Sequence, residues 1–282
     1  MSKRRVKQTL INIAISLIVL IVFFPIVMML PSMFKDKIEI FAYPWRFFPN
    51  NPTADNFSRL AFLQHTSIGV NFFTSFLVTL GVAALAVIGS LAINMIAAFA
   101  FARLKFPLKK TLWFIVISTM FIPGITILIT SIKVVDSLGM MDTLAVLVIP
   151  GLVSAYNIFF FRQFYLGFPS EIDEAARIDG ANTFQIFKTI YFPMSKTPMV
   201  IVGAGTFMGY FNSYVWPMLT ISQDKKGLFQ VMHVVRQLFS EASTLGYGSV
   251  LAASFITLIP AIVVFAFLQK SIKDGIALSG MK

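Results

Sequence analysis

The sequence predicts an all-α membrane protein with six transmembrane helices, because it is strongly apolar and its apolar residues form six long stretches. Of its 282 residues, 57% are hydrophobic and 12% are charged, and the mean hydropathy is +0.81. Water-soluble domains carry about 25% charged residues, so the bilayer is the expected solvent. Stretches of the length that crosses the hydrocarbon core cover residues 10–34, 70–102, 111–132, 143–161, 199–221 and 249–268. Each is expected to be helical, because an isolated strand would leave its backbone unpaired in lipid.

The first stretch and the distribution of basic residues predict the orientation. Lys3, Arg4 and Arg5 precede the first stretch as they would a signal peptide. Its apolar run exceeds the roughly 7–15 residues of a signal core, and no small-residue cleavage site follows, so we expect a retained anchor helix. With the N-terminus inside, cytoplasmic segments hold 15 of the 23 Lys and Arg residues. This bias predicts that both termini lie in the cytoplasm of a bacterial plasma membrane.

Two features of the apolar stretches and their connections carry further expectations. Prolines at positions 25, 123, 150, 217 and 260 fall within or at the ends of the stretches. They are compatible with ordinary membrane-helix packing and also with helices that bend as a pathway opens. The external segment 35–69, rich in proline and aromatic residues, is expected to form an ordered cap.

Residues 161–193 form the longest internal segment without membrane character, and local signals predict a helix, a tight turn and a second helix. Ser170 is expected to cap the first helix, with Asp173 three positions on. Gly180 is placed to end that helix in a left-handed conformation. Asn182 and Gln185 predict a capping box for the second helix, which Pro193 is expected to end.

The surface of this helix–turn–helix could serve a partner. Ala175 and Ala176 allow close backbone approach, and Glu174 and Arg177 beside them can form ion pairs. Apolar side chains at helical spacing on the second helix are expected to add to that surface; they are Phe184, Phe187 and Ile190. Docking into a groove of another protein and packing only against the protein's own helices both remain open on these grounds.

The spacing of this segment resembles one family. Glu174-Ala175-Ala176, three residues, Gly180, nine residues and Ile190-x-Phe192-Pro193 match the pattern E-A-A-x3-G-x9-I-x-L-P, with Phe192 in place of Leu. The pattern marks permease subunits of binding-protein-dependent ABC importers. The resemblance implies the type I ABC importer permease fold and a coupling segment at about 163–197 that docks on an ATP-binding subunit. It implies coupling roles for Glu174, Ala175, Ala176, Asp179, Gly180 and Pro193, with Glu174 engaging a basic residue of that subunit.

Other segments are similar to the carbohydrate branch of this family, which is related to the maltose transporter. The segments 97–106 and 211–217 resemble its A-Y-A-x-A-R-L-x-F and W-N-x-F/Y-x-x-P patterns, with Phe99 for Tyr and Phe211 for Trp. The tail 275–282 resembles the one that the second permease of a pair sends toward the ATPase dimer. The resemblance therefore implies a single permease domain over 1–282. Its implied partners are a second permease, two ATP-binding subunits that bind ATP and Mg²⁺, an extracytoplasmic binding protein and a sugar.

Other activities are not expected of this chain. Gly275-x4-Gly280 is followed by Met281, so it lacks the lysine of a P-loop, and no catalytic residue, cofactor or metal site is predicted. A nucleic-acid binder would not be this apolar. The acidic residues fall outside the apolar stretches, and His65 and His233 are expected to be external surface residues, which argues against proton coupling. An importer of another solute, a secondary transporter or channel, and a membrane scaffold remain alternatives.

Five polar residues are predicted to line a substrate pathway, because sugars bind to amides, hydroxyls and aromatic faces. They are Asn157, Tyr210, Asn212, Tyr214 and Trp216. Helix–helix hydrogen bonding, which is common for Asn within membranes, remains open for each of them.

Overall fold

The computed structural model describes residues 3–63, 66 and 68–279, and within these ranges the regular structure is entirely helical. His65 and the end of the C-terminal tail, residues 280–282, lie outside the described residues. The α-helices, in chain order, are α1 Lys3–Ser32, α2 Asp55–Ala61, α3 Phe72–Arg103, α4 Lys109–Thr119, α5 Gly124–Ser137, α6 Leu144–Val148, α7 Ala155–Leu166, α8 Glu171–Ile178, α9 Thr183–Ile186, α10 Phe192–Met194, α11 Lys196–Phe211, α12 Val215–Thr220, α13 Val231–Ser240, α14 Ala242–Leu245 and α15 Tyr247–Ser279.

Three of these helices contain continuous spans long and apolar enough to cross a membrane: Lys7–Ser32, Phe72–Arg103 and Tyr247–Gln269. Two further candidates are bent pairs, Lys109–Phe121 with Gly124–Ser137 at 108° and Leu144–Gly151 with Ala155–Leu166 at 45°. Counting each pair as one span gives five. The remaining predicted stretch, 199–221, is divided into α11 and α12 by a break at 212–214.

Proline accounts for part of this bending. Pro123 immediately precedes α5 at the 108° bend, and Pro150 lies in the 3₁₀ turn Ile149–Gly151 next to the 45° bend. A proline lacks the N–H that would continue the helical hydrogen-bond ladder. Pro25 and Pro260, by contrast, lie inside the continuous helices α1 and α15. A proline in a span therefore does not by itself predict where that span breaks.

The chain forms two compact units, one of residues up to Phe73 with Val234–Ile259, and one of Thr74–His233 with the residues from Pro260. In the first unit, Asn56 is buried and its amide donates to the carbonyl oxygens of Met33 and Lys35, each at 2.8 Å. The buried Lys35 ammonium donates to the Arg46 carbonyl and lies 4.5 Å from the centre of the Trp45 ring. These contacts order the segment that follows α1.

The core of the second unit is an aromatic cluster between α3, α7 and the segment that follows α7. Phe99, Phe161, Tyr165 and Tyr191 are all buried in it. The Tyr191 ring packs 4.9 Å from Phe99 and 5.2 Å from Tyr165, centre to centre. This cluster is the surface on which the predicted helix–turn–helix rests.

Candidate functional site

The first helix of the predicted helix–turn–helix is α8, and it ends at a left-handed glycine. Gly180 has a φ of +80°. Its N–H donates to the Arg177 carbonyl at 3.1 Å, and the Ala181 N–H donates to the Ala176 carbonyl at 2.9 Å. This pair of bonds is a Schellman motif, so the predicted role of Gly180 in the turn is confirmed.

The second helix begins as predicted but does not end as predicted. The Gln185 N–H donates to the Asn182 side chain at 2.9 Å, and the Asn182 N–H donates to the Gln185 side chain at 2.7 Å, which confirms the capping box. The prediction that Pro193 ends this helix is wrong, because the chain stays helical through a π-helical turn at Phe187–Tyr191 and then α10. Pro193 lies in the first turn of α10, where a missing N–H is tolerated.

α8 begins at Glu171, directly after Ser170 as predicted, but the expected side-chain cap from Ser170 is absent. Asp173 serves a different purpose. One carboxylate oxygen of Asp173 accepts a 2.8 Å hydrogen bond from the Tyr191 hydroxyl, and the other lies 3.6 Å from Nε of Arg103. Burial, together with the hydrogen bond to Asp173, raises the pKa of the Tyr191 hydroxyl above its usual value. Tyr191 therefore remains protonated and can donate at physiological pH.

Two arginines join the ends of α3 and α7. Arg103 donates from Nη2 to the carbonyl oxygens of Tyr165 at 2.7 Å and Phe168 at 2.5 Å. Arg162 of α7 donates in return to the Phe101 carbonyl of α3 at 3.2 Å. Each arginine thus satisfies carbonyls at the C-terminal end of the other helix, where the helix dipole favours positive charge. The two helix ends therefore lie side by side.

Much of α8 and the start of the second helix is exposed, and the exposed side chains include carboxylates, apolar groups and Arg177. Glu174, Ala175 and Asp179 are exposed, Ile178 is 86% exposed and Phe184 is 65% exposed. We call these five residues the coupling surface, after the role that the resemblance implies. Nothing in the sequence pattern singled out Ile178.

Three residues expected on that surface, Ala176, Phe187 and Ile190, pack against the core instead. Phe187 is 9% exposed and belongs to the aromatic core. Ala176 packs against the same core, although Ala175 beside it is exposed. The prediction that Phe187 presents an apolar side chain to a partner is therefore wrong.

A cavity of about 790 Å³ lies within the second unit. Its walls come from α5, α6, α7, α11, α12, the 3₁₀ turn Ile149–Gly151 and three residues outside these elements, Ser154, Ser213 and Gln230. Of the five predicted pathway residues, Asn157, Tyr210 and Trp216 line it, whereas Asn212 and Tyr214 do not. Among the lining residues that the structure describes there is no Asp, Glu, Lys, Arg or His.

The donors of the three lining residues already have partners. The Tyr210 hydroxyl donates to the Val148 carbonyl and the Trp216 Nε1–H to the Val146 carbonyl, each at 2.8 Å. The Asn157 amide donates to Ser90 Oγ over a longer 3.4 Å. Tyr210 also requires a glycine opposite it, because a Cβ on Gly151 would lie 2.4 Å from its hydroxyl. These side chains therefore help to hold the cavity walls together, and the aromatic faces and hydroxyl lone pairs remain for a ligand.

Gln230 is a cavity residue that sequence reasoning missed. It lies outside the apolar stretches, yet it is 1% exposed. Its Oε1 has no hydrogen-bond partner among the described residues. A buried acceptor without a donor is uncommon and costs free energy, so Gln230 joins the candidates for ligand contact.

His233 also differs from expectation. It was expected on the surface, but it is buried against the Phe229 ring at 4.4 Å, and burial lowers its pKa below the usual value. Among the described residues, no three His, Asp or Glu side chains cluster as metal ligands would.

The chain connects the coupling surface directly to the cavity. Cavity residues Tyr156, Asn157 and Phe160 lie on α7, and α8 follows only four residues after α7 ends. The cavity residues of α11 begin at Ile201, shortly after the coupling segment ends. The coupling surface is therefore continuous along the chain with two of the helices that line the cavity.

Comparisons with known proteins identify the family and the fold. Residues 90–274 match the family model described as the binding-protein-dependent transport system inner membrane component. The sn-glycerol-3-phosphate transport system permease protein UgpE of Escherichia coli O1:K1 is 30% identical over 259 residues, 91% of each chain. UgpE of Shigella flexneri serotype 5b is 29% identical over the same length. A chain of a bacterial ABC transporter involved in the import of the acidic polysaccharide alginate has the same fold, with a TM-score of 0.77 and 20% identity, over 96% of this chain and 98% of that one.

Proposed function

Because the chain belongs to the family of binding-protein-dependent transport system inner membrane components, we propose that it is the permease subunit of an ATP-driven importer of sugars or related polyols. The observation that carries the proposal is the position of the coupling surface. It lies on the connection between α7 and α11, two helices that line the cavity. A partner that moves α8 can thereby reshape the cavity.

In this proposal the chain crosses a bacterial plasma membrane six times and has both termini in the cytoplasm. The spans are α1, α3, the pair α4–α5, the unit from α6 to α7, the pair α11–α12, and α15. The side-by-side ends of α3 and α7 support the arrangement, because the second and fourth spans must end on one side. The α1 side chains described from residue 7 on remain almost entirely exposed, which suits lipid or a second permease.

The coupling surface docks on an ATP-binding subunit, and a second permease with its own ATP-binding subunit completes the assembly. ATP and Mg²⁺ bind to those subunits. Glu174 is exposed on α8 and can pair with a basic residue of the docking groove, while Ile178 and Phe184 supply apolar contact. Closure of the ATP-binding subunits moves the coupling segments and tips the permease pair between inward-open and outward-open states, by rigid-body movement around a central site.

The substrate is a polyhydroxylated molecule delivered by an extracytoplasmic binding protein. The cavity offers aromatic faces at Tyr156, Phe160 and Trp216, and amides at Asn157 and Gln230, groups that suit sugar rings and hydroxyls. The names of the relatives point to two classes of such molecule, a phosphorylated polyol and an acidic polysaccharide. Since the described lining residues carry no charge, this chain contacts the hydroxylated part of the substrate.

Reconstitution tests the proposal. The chain is expressed with its cognate second permease, ATP-binding subunit and binding protein, and the purified assembly is placed in proteoliposomes. We expect ATP-dependent uptake, measured in parallel with radiolabelled glycerol 3-phosphate, maltose and an alginate oligosaccharide. Gly180→Pro should abolish association of the ATP-binding subunit. A chain that purifies alone and takes up solute along an ion gradient would instead be a secondary transporter.

A further inference from the structure

Arg103 joins three elements around the coupling segment through one side chain. Its guanidinium donates to the carbonyls of Tyr165 in α7 and Phe168 just after it, and it forms the ion pair with Asp173 of α8. It also lies 5.4 Å from the centre of the Tyr191 ring, whose hydroxyl donates to the same Asp173. The end of α7, the first turn of α8 and the π-helical turn are thereby fixed to the last residue of α3.

These contacts are shielded from water, so they hold the connected elements rigidly together. The side chains of Arg103 and Asp173 are only 10% and 15% exposed, and Tyr191 is fully buried. The two hydrogen bonds from Arg103 Nη2 to carbonyl oxygens are charge-assisted and therefore stronger than neutral ones. The Asp173 carboxylate, 3.6 Å from Arg103 Nε, adds an ion pair without a hydrogen bond, and Nε has no hydrogen-bond partner among the described residues. Removing one partner of such a pair leaves a charge without compensation, which is strongly unfavourable.

α3 also contacts the cavity wall, at a second point nearer its middle. Asn94 of α3 is fully buried, and its amide donates to the Leu152 carbonyl at 2.8 Å and accepts from the Ser154 N–H at 2.9 Å. Both partners lie in the break between the 3₁₀ turn and α7, and Ser154 lines the cavity. Nine residues separate Asn94 from Arg103, a distance of about 14 Å along a helix.

We propose that α3 transmits movement of the coupling segment to the cavity wall, and we call this helix the strut. Arg103 is the positioning residue that couples α3 to the coupling segment, and Asn94 couples α3 to the bend at residues 152–154. Without the Arg103 contacts, α8 moves with the ATP-binding subunit while the cavity wall stays behind. ATP hydrolysis then continues without transport. This inference rests on the proposed function and adds the route by which coupling reaches the cavity.

The test compares uptake per ATP hydrolysed in proteoliposomes that contain the complete assembly. Arg103→Gln should lower the ratio of uptake to ATP hydrolysed about five- to tenfold. Asp173→Asn, a milder change than Arg103→Gln, should lower it within the same range. Asn94→Leu should also lower this ratio, because it breaks the contact at the other end of the strut. The conservative Asp173→Glu should keep a larger share of the ratio than Asp173→Asn does. Lys105→Gln, which removes an exposed positive charge two residues from Arg103, is the matched control and should leave the ratio unchanged.

The ratio separates this role from simple destabilisation, because a poorly folded permease loses uptake and ATPase activity in proportion. Thermal unfolding of each variant in detergent checks that point. If wild-type uptake is normal and the ratio of uptake to ATP hydrolysed is unchanged in Arg103→Gln and Asp173→Asn, α3 does not transmit the movement. The proposed function would remain intact. Absence of ATP-driven uptake in the wild type would instead refute the proposed function.

Discussion

Gly180→Ala should weaken docking of the ATP-binding subunit by straining the turn beneath the coupling surface. A Cβ at this position would meet no atom within 4 Å, so the cost comes from the backbone alone. Holding a non-glycine residue at a φ of +80° costs about 1–2 kcal/mol. If the turn must adopt its native form to dock, the Kd for the ATP-binding subunit rises about 5- to 30-fold.

The chain offers a matched control for this prediction. Gly139 has a φ of +65° and also has open space where a Cβ would lie, but it is outside the coupling segment. Gly139→Ala should therefore carry a similar backbone cost without affecting docking. Gly180→Asn should lie between wild type and Gly180→Ala, because Asn tolerates the left-handed conformation better than other residues.

The assay is a titration of fluorescently labelled ATP-binding subunit against detergent-purified permease pair, followed by anisotropy. Thermal unfolding of each variant is measured beside it. Equal losses of affinity in Gly139→Ala and Gly180→Ala would mean that general destabilisation, and not the turn, controls docking. An unchanged Kd in Gly180→Ala would refute the link between this turn and the coupling surface.

Three further substitutions test the local structure. Gly151→Ala should destabilise the fold by about 1–3 kcal/mol, because a Cβ there would lie 2.4 Å from the Tyr210 hydroxyl. This loss should appear as a lower Tm. Gly81→Ala is the control and should not lower Tm, because the space around Gly81 is open. Gln230→Leu removes a buried acceptor that has no partner among the described residues. Tm should therefore rise by the equivalent of about 1 kcal/mol, while uptake of hydroxylated substrate should fall. Undiminished uptake would show that Gln230 does not contact the substrate. Asn182→Ala should cost about 1 kcal/mol through loss of the helix cap, measured by chemical unfolding, whereas Asn182→Ser should cost little, and equal losses would contradict the capping role.

Local rules predicted the parts of the coupling segment that depend on neighbours in the sequence. The left-handed turn at Gly180 and the capping box of Asn182 and Gln185 follow from the backbone needs of three or four consecutive residues. Such local rules did not predict the role of Asp173. Its position suggested a cap with Ser170, but its carboxylate pairs with Arg103, 70 residues earlier in the chain.

The cavity was predictable only in part. Amide and aromatic residues within apolar stretches identified Asn157, Tyr210 and Trp216, which line it. Asn212 and Tyr214 satisfy the same criterion but fall at the break between α11 and α12 and do not line it. Gln230 reaches the cavity from outside the apolar stretches, and only the tertiary fold determines such a placement. A helix break does not by itself exclude a residue from the cavity, because Ser213 lies in the same break as Asn212 and Tyr214 and does line it.

Site-directed photo-crosslinking from α8 tests the central claim most directly, since this chain has no cysteine and an introduced thiol is the only one within it. Ala175→Cys places that thiol on the exposed coupling surface, and Lys110→Cys places one on an exposed residue of α4 as a control. Each permease variant is labelled with benzophenone maleimide before the ATP-binding subunit is added, and the reassembled complex is irradiated. The account predicts a covalent product with the ATP-binding subunit from Ala175→Cys and not from Lys110→Cys. Equal products from both positions, or none from Ala175→Cys in an assembly that hydrolyses ATP, would contradict it.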